Sequence, residues 1–301
     1  MATRNRSARN RPAKSAGAKK AERAPKKAAK KASRPRAPAG GSAKRGGARQ
    51  PAAAALTAAL PRAASGPHFP GFDTGSFPGE NVMRKWFGHP FVFTGFYLEA
   101  PCHNAARFTP YTGHRQLLKE VGWGLVVIYV GRQAAGCGSN KLTREQGLTD
   151  AGDAISKAKG EGFPQSATIF LDVERMEVTS EKMVNYMRGW IAGLLQDKSY
   201  KPGVYAHFHN ANDLFRAGQQ EFTAQAQAGG APAFYVVRVP GGTRFDVEKS
   251  GPQDLNSFGS TPISFARVWQ GKIDIRFETH NGVKFGPVDE DVADSSNPSN
   301  G

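Results

Sequence analysis

Cysteine is almost missing from this chain of 301 residues. The two present, Cys102 and Cys137, are too few for a disulfide-built scaffold and lack the clustering of a structural zinc site. No apolar run reaches the ~18 residues that a membrane-crossing helix needs, which excludes an integral helical membrane protein. A phosphate-binding glycine loop, a dinucleotide fingerprint and a zinc-finger spacing are also missing, so neither a nucleotide cofactor nor a resident metal is expected.

Acidic residues are missing from one end. Residues 1–65 hold 18 Lys and Arg against a single acid, Glu22, while the remaining 236 residues hold 23 basic and 24 acidic side chains. The net charge of +16 therefore belongs to a tail. From Met1 to Arg49 there is no aromatic residue and no Ile, Leu or Val, so nothing offsets the entropy of ordering and this stretch is expected to be disordered. Pairs such as Lys26-Lys27 and Lys30-Lys31, spaced by alanines, resemble the tails of linker histones. They suit a polyanion through counterion release, whether nucleic acid, anionic lipid or a teichoic-type polymer, with a solubilising spacer as the alternative. The short apolar run Pro51–Leu60, followed by Ala63-Ala64-Ser65, has some character of an export signal, but about fifty residues precede it. It reads as a linker or marginal helix. The cytoplasm is then the default compartment, with export through a non-standard leader as the alternative.

Residues 66–301 change texture. Short apolar, β-branched or aromatic runs alternate with segments of helical spacing, which argues for βα units on a parallel sheet. The strands expected are His68–Asp73, Phe93–Leu98, Leu125–Val130, Thr168–Val173, Gly203–His207, Phe234–Val239, Phe265–Trp269 and a last one near Phe285–Asp289. Thr143 with Gln146 forms a capping box before a helix to about Gly160, and Met183, Met187, Ile191, Leu194 and Leu195 recur at helical spacing. Eight strands with helices in most gaps, and no phosphate turn after the first, fit a (β/α)8 TIM-type barrel that is irregular in its last units. There Pro240–Pro262 shows little helical pattern, and the segments around His280-Asn281-Gly282 read as a hairpin closed by an Asn-Gly turn.

In such a barrel the C-terminal strand ends surround the active site. Here they carry carboxylates and aromatics: Asp73, Asp172, Glu174, Asp289 and Asp291, with Tyr97, Tyr129, Tyr205, Tyr235 and the Trp269-Gln270 pair. In Asp172-Val173-Glu174 the spacing of two puts both acids on one strand face, about 6.6 Å apart along the chain. Hydrolysis of a glycosidic bond needs one carboxyl held protonated and a second, negative group, and crowding four acids raises the pKa of at least one of them. Aromatic rings beside them suit stacking on sugars. His207 and His209 share a strand face, but no second cluster has ligand spacing, so His207 is assigned to substrate contact or hydrogen-bonded structure rather than to metal. Cys102 and Cys137 fall on neighbouring loops, where a disulfide and two free thiols are both compatible with the sequence. Trp86, Trp123 and Trp190 read as core.

Gly71-Phe72-Asp73-Thr74, Gly95-Phe96-Tyr97-Leu98, Phe170-Leu171-Asp172-Val173-Glu174, Gly203-Val204-Tyr205-Ala206, Val268-Trp269-Gln270 and Val288-Asp289 together resemble the ordered strand motifs of the glycoside-hydrolase-like family catalogued as domain of unknown function 1906, a relative of the family-25 (Chalaropsis-type) lysozymes. The resemblance spans about Phe69–Asp294. It implies a TIM-type barrel acting on peptidoglycan, with Glu174 as general acid and Asp73, Asp172 and Asp289 completing the site. The motif Asp289-Glu290-Asp291 departs from it, placing an acid where the lysozymes usually have an amide.

Overall fold

The computed structural model describes residues 68–103 and 105–300, so the expectations for the tail and for Pro51–Leu60 lie outside the described residues. Five βα units come first: β1 (Phe69–Asp73) with α1 (Glu80–Trp86), β2 (Phe93–Leu98) with α2 (Arg115–Val121), β3 (Gly124–Tyr129) with α3 (Arg144–Gly160), β4 (Thr168–Val173) with α4 (Glu181–Asp197), and β5 (Lys201–His207) with α5 (Phe208–Ala224). They are followed by β6 (Ala233–Val237), β7 (Ala266–Ile275), a small hairpin of β8 (Glu278–His280) and β9 (Val283–Phe285), and β10 (Val288–Ala293). Eight strands close a barrel in the order β1-β10-β7-β6-β5-β4-β3-β2, and the β8-β9 hairpin stands apart from it.

The irregular end has a physical cause. Between β6 and β7 the chain makes only the 3₁₀ turn Pro252–Ser257, and between β7 and β10 there is no helix at all. A parallel return needs a crossover of a dozen or more residues, usually a helix, so a chain that instead folds into a hairpin comes back reversed. β10 accordingly runs antiparallel to both β1 and β7, whereas the other barrel neighbours are parallel. Asn281 and Gly282 take positive φ at the hairpin tip, as an Asn-Gly turn requires. The last strand is therefore displaced from Phe285–Asp289 and opposite in sense to the all-parallel expectation. Asp289 still reaches the mouth of the barrel, because a reversed strand begins where its parallel neighbours end.

Alternation along the strands sorts side chains into two layers. Phe93, Val126, Ile128, Phe170, Tyr235, Val268 and Ala293 fill the barrel interior. Residues of opposite parity, such as Val127, Ile169, Leu171 and Trp269, pack outward with the buried helix faces, among them Met183, Met187, Ile191 and Leu194 of α4. Trp86, Trp123 and Trp190 are all core. The N-terminus of α3 is capped by Thr143, whose Oγ1 accepts from Gln146 N at 3.1 Å, while the Gln146 side chain turns to Asp150 instead of completing the box. Glu221 of α5 ties three helices together by accepting from Arg144 and Arg188. Burial raises the pKa of this acid, but the bonds from Arg144, Gln225 and Arg188 outweigh it and bring it down to about 2.

Interior glycines make room for the large side chains. A Cβ on Gly203 would lie 2.6 Å from the Phe170 ring, and one on Gly95 would lie 2.7 Å from Asp73 Cβ. Gly95→Ala is expected to cost roughly 1 to 3 kcal/mol in urea unfolding, because β1 and β2 must separate to admit the methyl group. A loss below ~0.5 kcal/mol would show that the two strands yield freely at this point.

Candidate active site

Asp73 ends β1 inside the barrel and is almost wholly buried. Tyr97 Oη donates to its Oδ1 at 2.5 Å, and Gln270 Nε2 donates to its Oδ2 at 2.8 Å. Tyr235 Oη lies 2.7 Å from Asp73 Oδ2 and also 2.7 Å from Asp291 Oδ1. A phenol has one proton, so one of these two carboxyls must bring its own. Asp291 is the one: burial and the neighbouring charge of Asp73 push its pKa well above the carboxylate range. Burial raises the pKa of Asp73, and donation from Tyr97, Tyr235, Asp291 and Gln270 opposes that rise without cancelling it, so Asp73 is the carboxyl of the group best provided with donors to carry a negative charge.

Gln270 uses both amide hydrogens and its oxygen here. Its Nε2 also donates to Asp289 Oδ2 at 2.9 Å, and its Oε1 accepts from Tyr205 Oη at 2.8 Å. Asp289 Oδ1 accepts from Asp274 N at 2.7 Å. Burial, followed by the charge of Asp73, raises Asp289 to about 8.

Across the mouth, Asp172 is buried near the end of β4, and its Oδ1 has no hydrogen-bond partner. Burial and the charges of Glu174 and Asp73 lift its pKa well above normal. Glu174, one residue beyond the strand, is exposed to solvent, yet the surrounding protein and the Asp73 charge also raise its pKa. The turn carrying it is pinned from two sides. Buried Gln133, on the loop after β3, donates Nε2 to Asp172 O at 3.0 Å and accepts from Glu174 N at 3.0 Å, while Asn210 of α5 accepts from Met176 N at 3.0 Å. Gln133 N donates to Cys137 O at 2.9 Å, and Cys137 is joined to Cys102 by a disulfide with Cα atoms 5.9 Å apart. The pairing left open by the sequence is thus formed, and it joins the loops after β2 and β3. His103, beside Cys102, stacks on Tyr97 with ring centroids 4.8 Å apart and sits with Nε2 2.5 Å from Gly75 O.

Several sequence assignments change. Tyr129 lies outside the barrel, donating to Asp153 of α3 at 2.8 Å and stacking on Trp190. Trp269 also faces outward, against Phe245 and Phe258, with Nε1 donating to Arg238 O at 2.9 Å. Both have the wrong strand parity for the mouth: Tyr129 follows Val127 rather than Ile128, and Trp269 lies between the inward Val268 and Gln270. Tyr235, Gln270 and Asp291 are in the site but fully buried, so they position Asp73 and Asp289 instead of meeting a ligand. Of the tyrosines, Tyr97 and Tyr205 keep partial exposure at the mouth. His207 caps α5, its Nδ1 accepting from His209 N at 3.1 Å. Gln133 and His103 are not singled out by the sequence, since neither lies on a strand; the only signal for either is its place four or five residues after a strand end.

The raised pKa of Asp289 has a consequence for stability. The folded state holds a proton that the unfolded chain, with an ordinary value near 3.8, releases. This contribution favours folding at acid pH and is lost as pH rises from about 4 to about 8. Asp289→Asn removes it, so the melting temperature of the variant minus that of the parent should grow across this window and level off above it. A difference constant with pH in thermal scans would return Asp289 to an ordinary carboxylate.

Residues 84–249, more than half of the chain, match the family model described as Rv2525c-like, glycoside hydrolase-like domain. The matched span contains Asp172, Glu174 and Gln133 and leaves out β1, β7 and β10. No curated protein sequence matches the chain. Among solved structures, an uncharacterized protein from B. stearothermophilus shares 19% identity with a TM-score of 0.51, over 75% of this chain and 95% of that one. The spore cortex lytic enzyme SleM of Clostridium perfringens shares 12% identity, also at TM-score 0.51, over 76% of this chain and 68% of that one. At these identities the likeness is one of fold. The barrel with acids at its mouth and the matched family model lead to one assignment: the chain belongs to the Rv2525c-like glycoside hydrolase-like domain family.

Proposed function

We propose that the barrel hydrolyses a glycosidic bond of peptidoglycan or a related polysaccharide, with Glu174 as general acid. The observation that carries this reading is the pairing of a solvent-accessible carboxyl of raised pKa, Glu174, with a buried carboxylate, Asp73, whose charge helps to raise it. Glu174 gives its proton to the leaving glycosidic oxygen as the bond to the sugar carbon breaks, the positive charge that develops on the sugar is stabilised by the Asp73 anion below, and a water then adds to that carbon and gives a proton back to the Glu174 carboxylate. Asp172, with one oxygen free of hydrogen bonds, and Asp289 flank the same mouth. Tyr97 and Tyr205 offer their exposed ring portions to sugar faces. That a spore cortex lytic enzyme has the same fold supports a cell-wall polymer as substrate. The Cys102–Cys137 disulfide supports an oxidising compartment, since such bonds are rare where thiols are kept reduced.

Glu174→Gln is expected to cut the release of soluble muropeptides from purified peptidoglycan by roughly 100-fold or more, the scale of general acid catalysis, while sedimentation with the insoluble polymer stays near that of the parent. Activity within a few-fold of the parent would remove Glu174 from the role.

The carboxylates also differ in which one controls Glu174. Beyond burial, which raises both, the charge acting first on Asp172 is that of Glu174, whereas the charge that raises Glu174 is that of Asp73. Asp73→Asn removes the negative charge that keeps Glu174 protonated; its pKa falls, and the alkaline limb of the rate profile moves to lower pH. Asp172→Asn should leave that limb almost in place while lowering the rate. A shift of the limb by Asp172→Asn and not by Asp73→Asn would reverse the assignment.

A further inference from the structure

The proposed catalytic mouth lies at the C-terminal ends of the parallel strands, and a separate cavity lies elsewhere. It opens at the opposite end of the barrel, around Thr168, Lys201 and Ala233, which begin β4, β5 and β6. Its volume of about 610 Å³ is in the range of small-molecule sites. The walls are apolar: Leu194 of α4 and Phe215 and Phe222 of α5 face Phe265, whose ring stacks on Phe215 with centroids 3.9 Å apart.

The lining is also one-signed. Lys198, Lys201 and Arg267 contribute to it, and no Asp or Glu does. Arg267 is neutralised by two bonds to Asp294, at 3.0 and 3.2 Å. Neither lysine ammonium is paired with a carboxylate among the described residues. Lys198 is the C-cap of α4 with φ +66, a left-handed backbone that a glycine would adopt without steric cost. A lysine held in that conformation beside an apolar cavity is a local outlier at its mouth.

We infer that this cavity is a second binding site, for a single-chain amphiphile whose acyl tail fills the apolar walls and whose anionic head group, a phosphate or carboxylate, is met by Lys198 and Lys201. The apolar walls select against free inorganic anions, and the two lysines select against neutral detergents. This site is separate from the acids of the mouth and does not depend on the glycosidase reading.

Isothermal titration calorimetry of the full chain with decyl phosphate, below its micelle concentration, tests it, with decyl maltoside and inorganic phosphate as controls. The basic tail is common to all variants and so cancels in their comparison. One-to-one binding of decyl phosphate at least tenfold tighter than either control is expected. Lys198→Gly relieves the positive φ, so it should melt no lower than the parent while weakening decyl phosphate severalfold; Lys198→Gly with Lys201→Gln should weaken it at least tenfold. Ala231→Trp, which places an indole in the cavity from a loop, should block it without lowering turnover at the mouth. Equal affinity for decyl maltoside, no change on loss of both lysines, or binding that survives Ala231→Trp would each overturn the site, as would the absence of saturable binding to the parent.

Discussion

One buried negative charge organises the mouth of this barrel. Asp73 has little access to water, so its ionisation depends on the donors from Tyr97, Tyr235 and Gln270 and on a proton carried by Asp291. Once that charge is present, the remaining acids cannot ionise independently. Burial and the Asp73 charge keep Asp291 well above the carboxylate range and raise Asp289 to about 8; at Asp172 burial and the Glu174 charge come before that of Asp73, and at Glu174 the Asp73 charge adds to burial. Tyr97 and Tyr235 are therefore first of all donors to a carboxylate, and Tyr205 donates to Gln270, which donates to the same carboxylate in turn. Only Tyr97 and Tyr205 keep some exposure at the mouth.

Much of this was legible in the sequence because strands and their acids obey simple periodicities. Asp172 and Glu174 share a face at a spacing of two, and Asp73, Asp289 and Gln270 meet at the same end of the barrel as the strand-end argument requires. An aromatic residue near a strand end reaches the mouth only if its parity is also right. Tyr129 is one residue out of step with Ile128, and that step carries it from the mouth to the surface of α3. Trp269 fails for the same reason, while Tyr235 has the right parity but lies too deep. Gln133 was not legible at all, since its role depends on a loop conformation that brings it against two backbone groups about forty residues away.

The reversed last strand shows how topology and chemistry can separate. With no helix between β7 and β10, the chain returns through a hairpin and β10 pairs antiparallel on both sides. Parity survives the reversal: in Asp289-Glu290-Asp291 the first and third acids enter the mouth, and Glu290 faces out to Lys272 at 2.5 Å. Asp289 and Asp291 open β10 on the way down, where a parallel strand would have carried them at its end. With Asp291 protonated, its O–H donates to Tyr235 Oη and Tyr235 donates to Asp73, so the acid that departs from the lysozyme pattern fits the hydrogen-bond count of this site.

The two loops beside the mouth are coupled to these acids from opposite sides. Cys102 is followed by His103, whose ring stacks on Tyr97, the donor to Asp73; Cys137 accepts from the backbone of Gln133, which clasps the turn holding Asp172 and Glu174. The disulfide joins these two chains of contacts. Among the described residues it closes a continuous path from the buried anion to the proposed proton donor, running through the loops rather than through the strands. Strand geometry places both carboxylates at one end of the barrel. Their separation across the mouth is set by the hydrogen bonds of Gln133 and Asn210 and by the one covalent link between the loops after β2 and β3, because Glu174 stands beyond the last ladder bond of β4.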